Sequence, residues 1–123
     1  MRTLGELEER VMHVLWGRQK PTTVRDVFEQ LAPERDLAYT TVMTVMDRLW
    51  RKGLLSREPR GRAFEYVAAV SEGEYTAGLM HRLLTTSRDR RQVLAHFLRG
   101  MKKADEAELM RLSREAKERK RRG

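Results

Sequence analysis

A chain of 123 residues is long enough for one domain of common size, or for a small domain followed by an assembly segment. It contains no cysteine, which excludes disulfides, thiolate metal sites and a cysteine nucleophile. Charged residues make up 36% of the chain and the net charge is +8, which favours long exposed helical faces and an acidic partner. No apolar run approaches the ~20 residues of a membrane span, so we expect a cytoplasmic protein without membrane insertion.

Two amphipathic helices open the chain. Thr3 and Glu6 form a capping-box pattern that starts the first helix, and Gly17 is expected to end it. Thr22 or Thr23 can cap the second helix. The apolar positions of the two helices recur with helical spacing: Leu4, Leu7, Val11, Val14 and Leu15, then Val24, Val27, Phe28 and Leu31.

Residues 36–53 predict a third helix with two different faces. The apolar face repeats at i, i+3, i+4 and i+7 and consists of Val42, Val45, Met46 and Leu49. The polar face consists of Tyr39, Thr40, Thr41, Thr44, Arg48, Arg51 and Lys52. Hydroxyl and guanidinium groups are suited to base edges and phosphates in a DNA groove, although an ordinary solvated basic helix would show the same pattern. Gly53 can take the left-handed conformation that ends a helix.

A β-hairpin is predicted directly after this helix. Alternation around Leu55, Phe64 and Tyr66 indicates two strands, with Pro59 and Gly61 breaking them and the apolar side chains packing on the helices. Residues 48–62 carry six Lys and Arg side chains against a single Glu, and Arg60 and Arg62 lie at the expected tip, where they could meet phosphates or a minor groove. Three short helices followed by such a wing predict a winged helix-turn-helix domain over residues 1–70.

Residues 71–116 predict a separate helical domain. Ser71 with Glu74 forms a second capping box, Ser87 can cap the next helix, and Asp105 suggests a third start. About 50 helical residues hold too small a core to be stable alone, so we expect a homodimer, with packing onto the first domain as the alternative. The apolar candidates for this interface are Tyr75, Leu79, Leu83, Val93, Leu94, Phe97, Leu98, Leu109 and Leu112. Residues 117–123 form a basic tail that we expect to be disordered.

The sequence offers no catalytic or metal-binding constellation. His13, His81 and His96 stand alone on predicted helices, the glycines are scattered, and the carboxylates follow helical charge patterns without a paired acid and base. We therefore expect no cofactor, no metal and no enzymatic activity.

Four runs of the chain resemble the BlaI/MecI family of penicillinase repressors, in order and almost without gaps: LGELEERVMHVLW, TTVRDVFEQL, LAYTTVMTVMDRLWRKGLL and GRAFEYVA. The third run is the most specific, because Leu49, Lys52 and Gly53 fit the family's typical helix ending. The resemblance implies a mainly α fold with a small β-hairpin, in which a winged-helix domain precedes a helical dimerisation domain. It also implies transcriptional repression on a palindromic double-stranded operator.

Carried onto this chain, the family's DNA-binding pattern assigns Thr40, Thr41, Thr44 and Arg48 to bases, and Arg51, Lys52, Arg60 and Arg62 to phosphates. Better-known members control beta-lactam resistance and are cut by a membrane sensor protease. The corresponding bond lies between His96 and Phe97, where family examples often have Asn in place of this histidine. A copper-responsive branch with a Cys-rich motif is excluded by the absence of cysteine.

The function expected from the sequence is therefore a sequence-specific, homodimeric DNA-binding repressor. Two other functions stay open at this point. A non-specific nucleic-acid-binding protein would show steep salt dependence without a preferred site, and a protein-interaction adaptor would not bind DNA tightly at moderate salt.

Overall fold

The computed structural model describes residues 4–33 and 36–123. Its elements in chain order are α1 (Glu6–Arg18), α2 (Val24–Leu31), α3 (Tyr39–Arg51), β1 (Leu55–Arg60), β2 (Ala63–Ala68), α4 (Glu72–Thr85), α5 (Arg90–Gly100) and α6 (Lys103–Arg122). The chain divides into two compact units, residues 1–80 and residues 81–123, which are described separately. Within the described ranges, no helix is both long enough and apolar enough to span a bilayer.

The ends of α1 differ from the prediction. Gly5 occupies the N-cap position, and its N–H donates to the Glu8 carboxylate at 3.3 Å. The predicted cap Thr3 lies outside the described residues. The predicted stop at Gly17 is wrong, since the helix continues to Arg18 and ends where Gln19 takes a left-handed φ of 51° with its N–H on the Leu15 carbonyl.

Thr23, rather than Thr22, caps α2. The Thr23 hydroxyl accepts from the Asp26 N–H at 3.1 Å, and the Asp26 carboxylate accepts from the Thr23 N–H at 3.0 Å, which completes a capping box. These hydrogen bonds lower the pKa of Asp26 below its ordinary value, and the hydrogen bond from the Thr23 backbone has the largest effect. Thr22 is instead fully buried and pairs with Tyr66 through two backbone hydrogen bonds of 3.0 and 2.8 Å. This bridge, which the sequence did not predict, ties the α1–α2 connection to β2.

Helix α3 has the two faces that the sequence predicted. Its apolar face is buried and consists of Val42, Val45, Met46 and Leu49. The helix ends in a Schellman motif, in which the N–H of Gly53 donates to the Trp50 carbonyl and the N–H of Leu54 to the Leu49 carbonyl, both at 3.0 Å. Gly53 has the expected positive φ, 82°.

The two strands β1 and β2 pair antiparallel, from Leu55 opposite Ala68 to Arg60 opposite Ala63. Gly61, with a φ of 62°, is the first of two loop residues, the position that a type II′ turn reserves for glycine. The expectation that Pro59 breaks the strand is wrong. Pro59 pairs with Phe64 inside the ladder, next to the hydrogen-bonded pair that closes the loop, where a residue needs no N–H toward its partner.

One core holds the first unit together. Leu55 and Tyr66 bring the hairpin into it as predicted, but Phe64 stays 40% exposed. The buried apolar residues are Val11, Met12, Val14, Leu15, Val27, Leu31, Val42, Val45, Met46, Leu49, Leu54, Leu55, Tyr66 and Tyr75. Tyr75 comes from α4, so the beginning of that helix belongs to this core.

The start of α4 is anchored by three contacts. The Ser71–Glu74 capping box forms as predicted, with hydrogen bonds of 3.1 and 3.0 Å. The Trp16 indole N–H donates to the Val70 carbonyl at 2.9 Å, and the Trp16 and Tyr75 rings lie 5.8 Å apart. Tyr75 is only 7% exposed, and Leu79 is partly buried against the same core. Tyr75 therefore has little surface left for the dimer interface to which the sequence assigned it, whereas Leu79 keeps part of its side chain exposed.

The second unit differs from the prediction at both of its helix starts. Asp89, rather than Ser87, caps α5 by accepting from the Gln92 N–H at 3.0 Å, while the Ser87 hydroxyl donates to the Leu83 carbonyl. Helix α6 begins at Lys103, so Asp105 lies in its first turn. It continues to Arg122 through the tail that was expected to be disordered, because Lys, Arg and Glu are good helix formers and cations suit a helix C-terminus.

Candidate nucleic-acid interface

The side of α3 opposite the core is open to solvent and carries the predicted base-reading residues. Thr40, Thr41, Thr44 and Arg48 are all exposed. The Thr44 hydroxyl donates to the Thr40 carbonyl at 2.9 Å, which uses its proton and leaves its oxygen as an acceptor for an outside donor. Tyr39 lies at the start of the helix, where its ring meets Phe28 at 5.6 Å. The geometry therefore gives this surface threonine oxygens, methyl groups and one guanidinium.

A carboxylate on α3, Asp47, organises two arginines, and sequence reasoning missed it. One Asp47 oxygen forms an ion pair with Arg51, 3.0 Å from its Nε, and the other accepts a hydrogen bond from Arg57 Nη1 at 3.0 Å. Arg51 keeps 73% of its side chain exposed. The two arginines therefore neutralise the negative charge of Asp47, which lies beside the predicted DNA-binding surface. The ion pair also orients Arg51, a predicted phosphate-binding residue. The i, i+4 spacing of Asp47 and Arg51 was the available signal.

Arg57 joins the hairpin to α3. Its guanidinium stacks 3.6 Å from the Trp50 ring centroid and 4.1 Å from that of Phe64, and it donates to the Tyr66 hydroxyl at 3.3 Å. Desolvation acts to lower the pKa of Arg57, but the hydrogen bonds to Tyr66 and Asp47 outweigh it and raise the pKa above its ordinary value. The sequence counted Arg57 only as charge, whereas the structure uses it to hold the wing against the helix.

Lys52 is engaged within the protein. Its ammonium lies 2.6 Å from the Glu8 carboxylate of α1, and 29% of its side chain is exposed. Partial burial acts to raise the pKa of Glu8, but the hydrogen bonds from Lys52 and from the Gly5 N–H prevail and hold it below its ordinary value. Lys52, like Arg51, is thus a predicted phosphate contact whose charge already has a close partner within the protein.

The hairpin tip presents two accessible cations. Arg60 is 79% exposed and lies 3.7 Å from Glu65, a loose surface pair that a phosphate could replace. Arg62 occupies the second position of the loop and is exposed. The tip and the open side of α3 lie in one compact unit, fixed to each other through Arg57.

Most predicted dimerisation residues are exposed in the single chain. The exposed apolar side chains from this set are Leu83, Val93, Leu94, Phe97, Leu98, Leu109 and Leu112, with accessibilities from 40% for Val93 to 69% for Leu83. No residue of α5 or α6, both fully described, is buried. His96, on one side of the predicted cleavage bond, is also exposed and lies in the middle of α5.

A helical triad whose last helix turns a threonine- and arginine-rich side to solvent, followed by a basic-tipped hairpin, defines a winged-helix DNA-binding protein. The profile of the penicillinase repressor family matches residues 4–118, and the chain belongs to this family. It is therefore a DNA-binding transcriptional repressor and not an enzyme.

Three known proteins illustrate the relationship. The chain is 45% identical over 111 residues to the transcriptional regulator BlaI of Mycobacterium tuberculosis, an alignment that covers 88% of this chain and 80% of that protein. The solution structure of the DNA-binding domain of the repressor BlaI matches with 27% identity and a TM-score of 0.52, over 61% of this chain and 94% of that one. The Bacillus licheniformis BlaI monomeric form in complex with the blaP half-operator matches with 27% identity and a TM-score of 0.50, over 60% and 89% of the two chains.

Proposed function

We propose that two copies of this chain bind a palindromic operator and block transcription from the promoter that contains it. Each copy places α3 in a major groove, and the two half-sites lie about one helical turn, or a multiple of it, apart. The open side of α3 beside a wing held by Arg57 is the observation that carries this proposal. The similarity to a BlaI monomer bound to a half-operator supports it.

The residues divide into two roles. Thr40, Thr44 and Arg48 read base edges, because they are exposed on α3 and offer acceptors, methyl groups and a fork of donors. Arg60 and Arg62 hold phosphates from the wing, where their charges are exposed. Thr41 adds to the first role, Arg51 to the second, and Lys52 contributes to the second only if DNA draws it away from Glu8.

Dimerisation rests on the exposed apolar side chains of the second unit. A chain that leaves Phe97 50%, Leu98 53% and Leu109 54% exposed gains stability by covering them against the same surface of a second copy. Tyr75 contributes little to this interface, since the first unit already buries it, whereas Leu79 is only partly buried and stays among the candidates.

Release from the operator is proposed to follow cleavage between His96 and Phe97 by a membrane sensor protease, as in a beta-lactam-resistance circuit. The bond lies in the middle of α5, next to the side chains proposed for the dimer interface. Cleavage there separates the interface side chains before the bond from those after it, so the interface is no longer carried by one continuous chain. Because the backbone at this bond is helical, the cleavage rate should follow local opening of α5.

The deciding experiment is a selection of random duplex DNA by the purified protein at near-physiological salt. Recovery of a two-fold symmetric motif supports the proposal. Arg48→Ala should then relax the base preference at one position of each half-site, while Arg60→Ala should weaken all sequences alike and flatten the salt dependence. Binding that vanishes as salt rises, without an enriched motif, would favour the non-specific alternative.

A further inference from the structure

The last six residues of α6, residues 117–122, form a cationic helix end that we call the basic end. Five of the six are cationic, namely Lys117, Arg119, Lys120, Arg121 and Arg122, and Glu118 is the exception. All six are exposed. The first turns of the same helix have the opposite character, with Asp105, Glu106 and Glu108 against Lys103. The positive charge of this helix is thus concentrated at one end.

The apolar stripe of α6 stops before the basic end. Leu109, Leu112 and Ala116 follow one another at i, i+3 and i+7. The next positions on the same side are Arg119 and Lys120. Packing against a second copy through this stripe therefore ends near Ala116, and the basic end extends beyond it.

Among the described residues, the cations of the basic end form no ion pair, although Glu115 and Glu118 lie on the same helix. Lys117 lies three and four residues before Lys120 and Arg121, the spacing at which like charges on a helix repel each other. One or two cations in the last turn would satisfy the helix dipole, so the dipole does not account for all five.

We propose that the basic end is a second DNA-binding site, which contacts the sugar-phosphate backbone beside the operator. A polyanion relieves the repulsion among the five cations. The inference rests on the proposed operator binding, in which the DNA is that polyanion. The carbonyl end of a helix attracts no anion by itself, so the contacts come from Lys and Arg side chains and carry no base preference. The match to the family profile ends at residue 118, so most of the basic end lies beyond what that profile describes.

The test compares two variants of the full chain with equal net charge. The first replaces the five cations of the basic end by glutamine: K117Q, R119Q, K120Q, R121Q and R122Q. The matched control replaces five exposed cations elsewhere in the second unit: R88Q, R90Q, R91Q, K102Q and K103Q. Affinity is measured from low to physiological salt on an operator duplex with long flanks and on one trimmed to the operator.

The slope of log affinity against log salt should become shallower for the basic-end variant on the flanked duplex. The expected change is about 0.9 for each phosphate that the variant no longer neutralises, and at least about 2 in all. The control variant should keep the wild-type slope, and both variants should keep the wild-type base preference. A chain ending at Ala116 should reproduce the basic-end result, which separates the effect of charge from any effect of the substitutions on the helix.

Three results would overturn the inference. The first is an unchanged salt slope in the basic-end variant, and the second is an equal change of slope in the control variant. The third is a basic-end variant that loses binding to anionic vesicles or to RNA, measured in parallel, but keeps wild-type binding to DNA. Failure of the proposed function has a different signature. If the wild type prefers no sequence but its slope still depends on the basic end, the backbone contact stands and the operator assignment falls.

Discussion

Adjacent residues of α3, Leu49 and Arg48, should have opposite effects when each is replaced by alanine. Leu49 is fully buried, so Leu49→Ala removes core packing and leaves a cavity. The expected loss of unfolding free energy is about 3 kcal/mol, within the range for buried leucines. For a domain of this size that loss lowers Tm by roughly 12–24 °C, at about 4–8 °C per kcal/mol. Base preference, measured well below the new Tm, should stay as in the wild type.

Arg48→Ala should do the reverse. Arg48 is exposed, and exposed substitutions change the unfolding free energy by less than about 0.5 kcal/mol, so Tm should hardly move. Without a bidentate hydrogen bond to a base, discrimination falls by about 1–3 kcal/mol, which is roughly 5- to 150-fold at one base pair of each half-site.

Thermal unfolding followed by circular dichroism gives the first quantity, and competition binding with operators altered at single base pairs gives the second. The reasoning would be refuted if Leu49→Ala lost base preference while still folded. It would equally be refuted if Arg48→Ala melted several degrees below the wild type, since the two faces of α3 would then not be separable.

Three further predictions follow from single contacts. Gly53→Ala should lower the unfolding free energy by about 1–2 kcal/mol, because only the left-handed φ opposes the new methyl group. The control Gly17→Ala, inside a helix, should leave the unfolding free energy unchanged or raise it. Equal effects of the two variants in denaturant titrations would contradict this prediction. Because the pKa of Glu8 is lowered, its pair with Lys52 stabilises the fold at pH values above the ordinary pKa of 4.5, and this stability is lost as pH falls through the pKa of the folded state. Glu8→Gln should therefore flatten the decline in unfolding free energy measured on acidification. An unchanged acid profile would argue against the pair. Phe97→Asp should abolish the rise of Tm with protein concentration expected of a dimer, and a rise that persists would place the interface elsewhere.

Much of the fold could be predicted because local rules govern it. The helical period placed the buried face of α3, a serine–glutamate pair placed the start of α4, and Gly53 placed the end of α3. The hairpin followed from alternation and from a glycine in its loop. The exposed side of α3 was predictable for the same reason, since residues on one helix keep fixed angular positions whatever packs around them.

Other features depend on residues far apart in the chain, and only the tertiary structure decided them. Lys52 meets Glu8 across 44 positions, and Trp16 holds Val70 across 54, so no local pattern announces either contact. Packing α4 onto the first core buried Tyr75, which helical spacing alone could not distinguish from an interface residue. Arg57 likewise gained its role from two aromatic rings that meet only when the hairpin folds against α3. Sequence by itself therefore determined which side chains share a face, and tertiary packing determined which of them remain available to DNA or to a second copy.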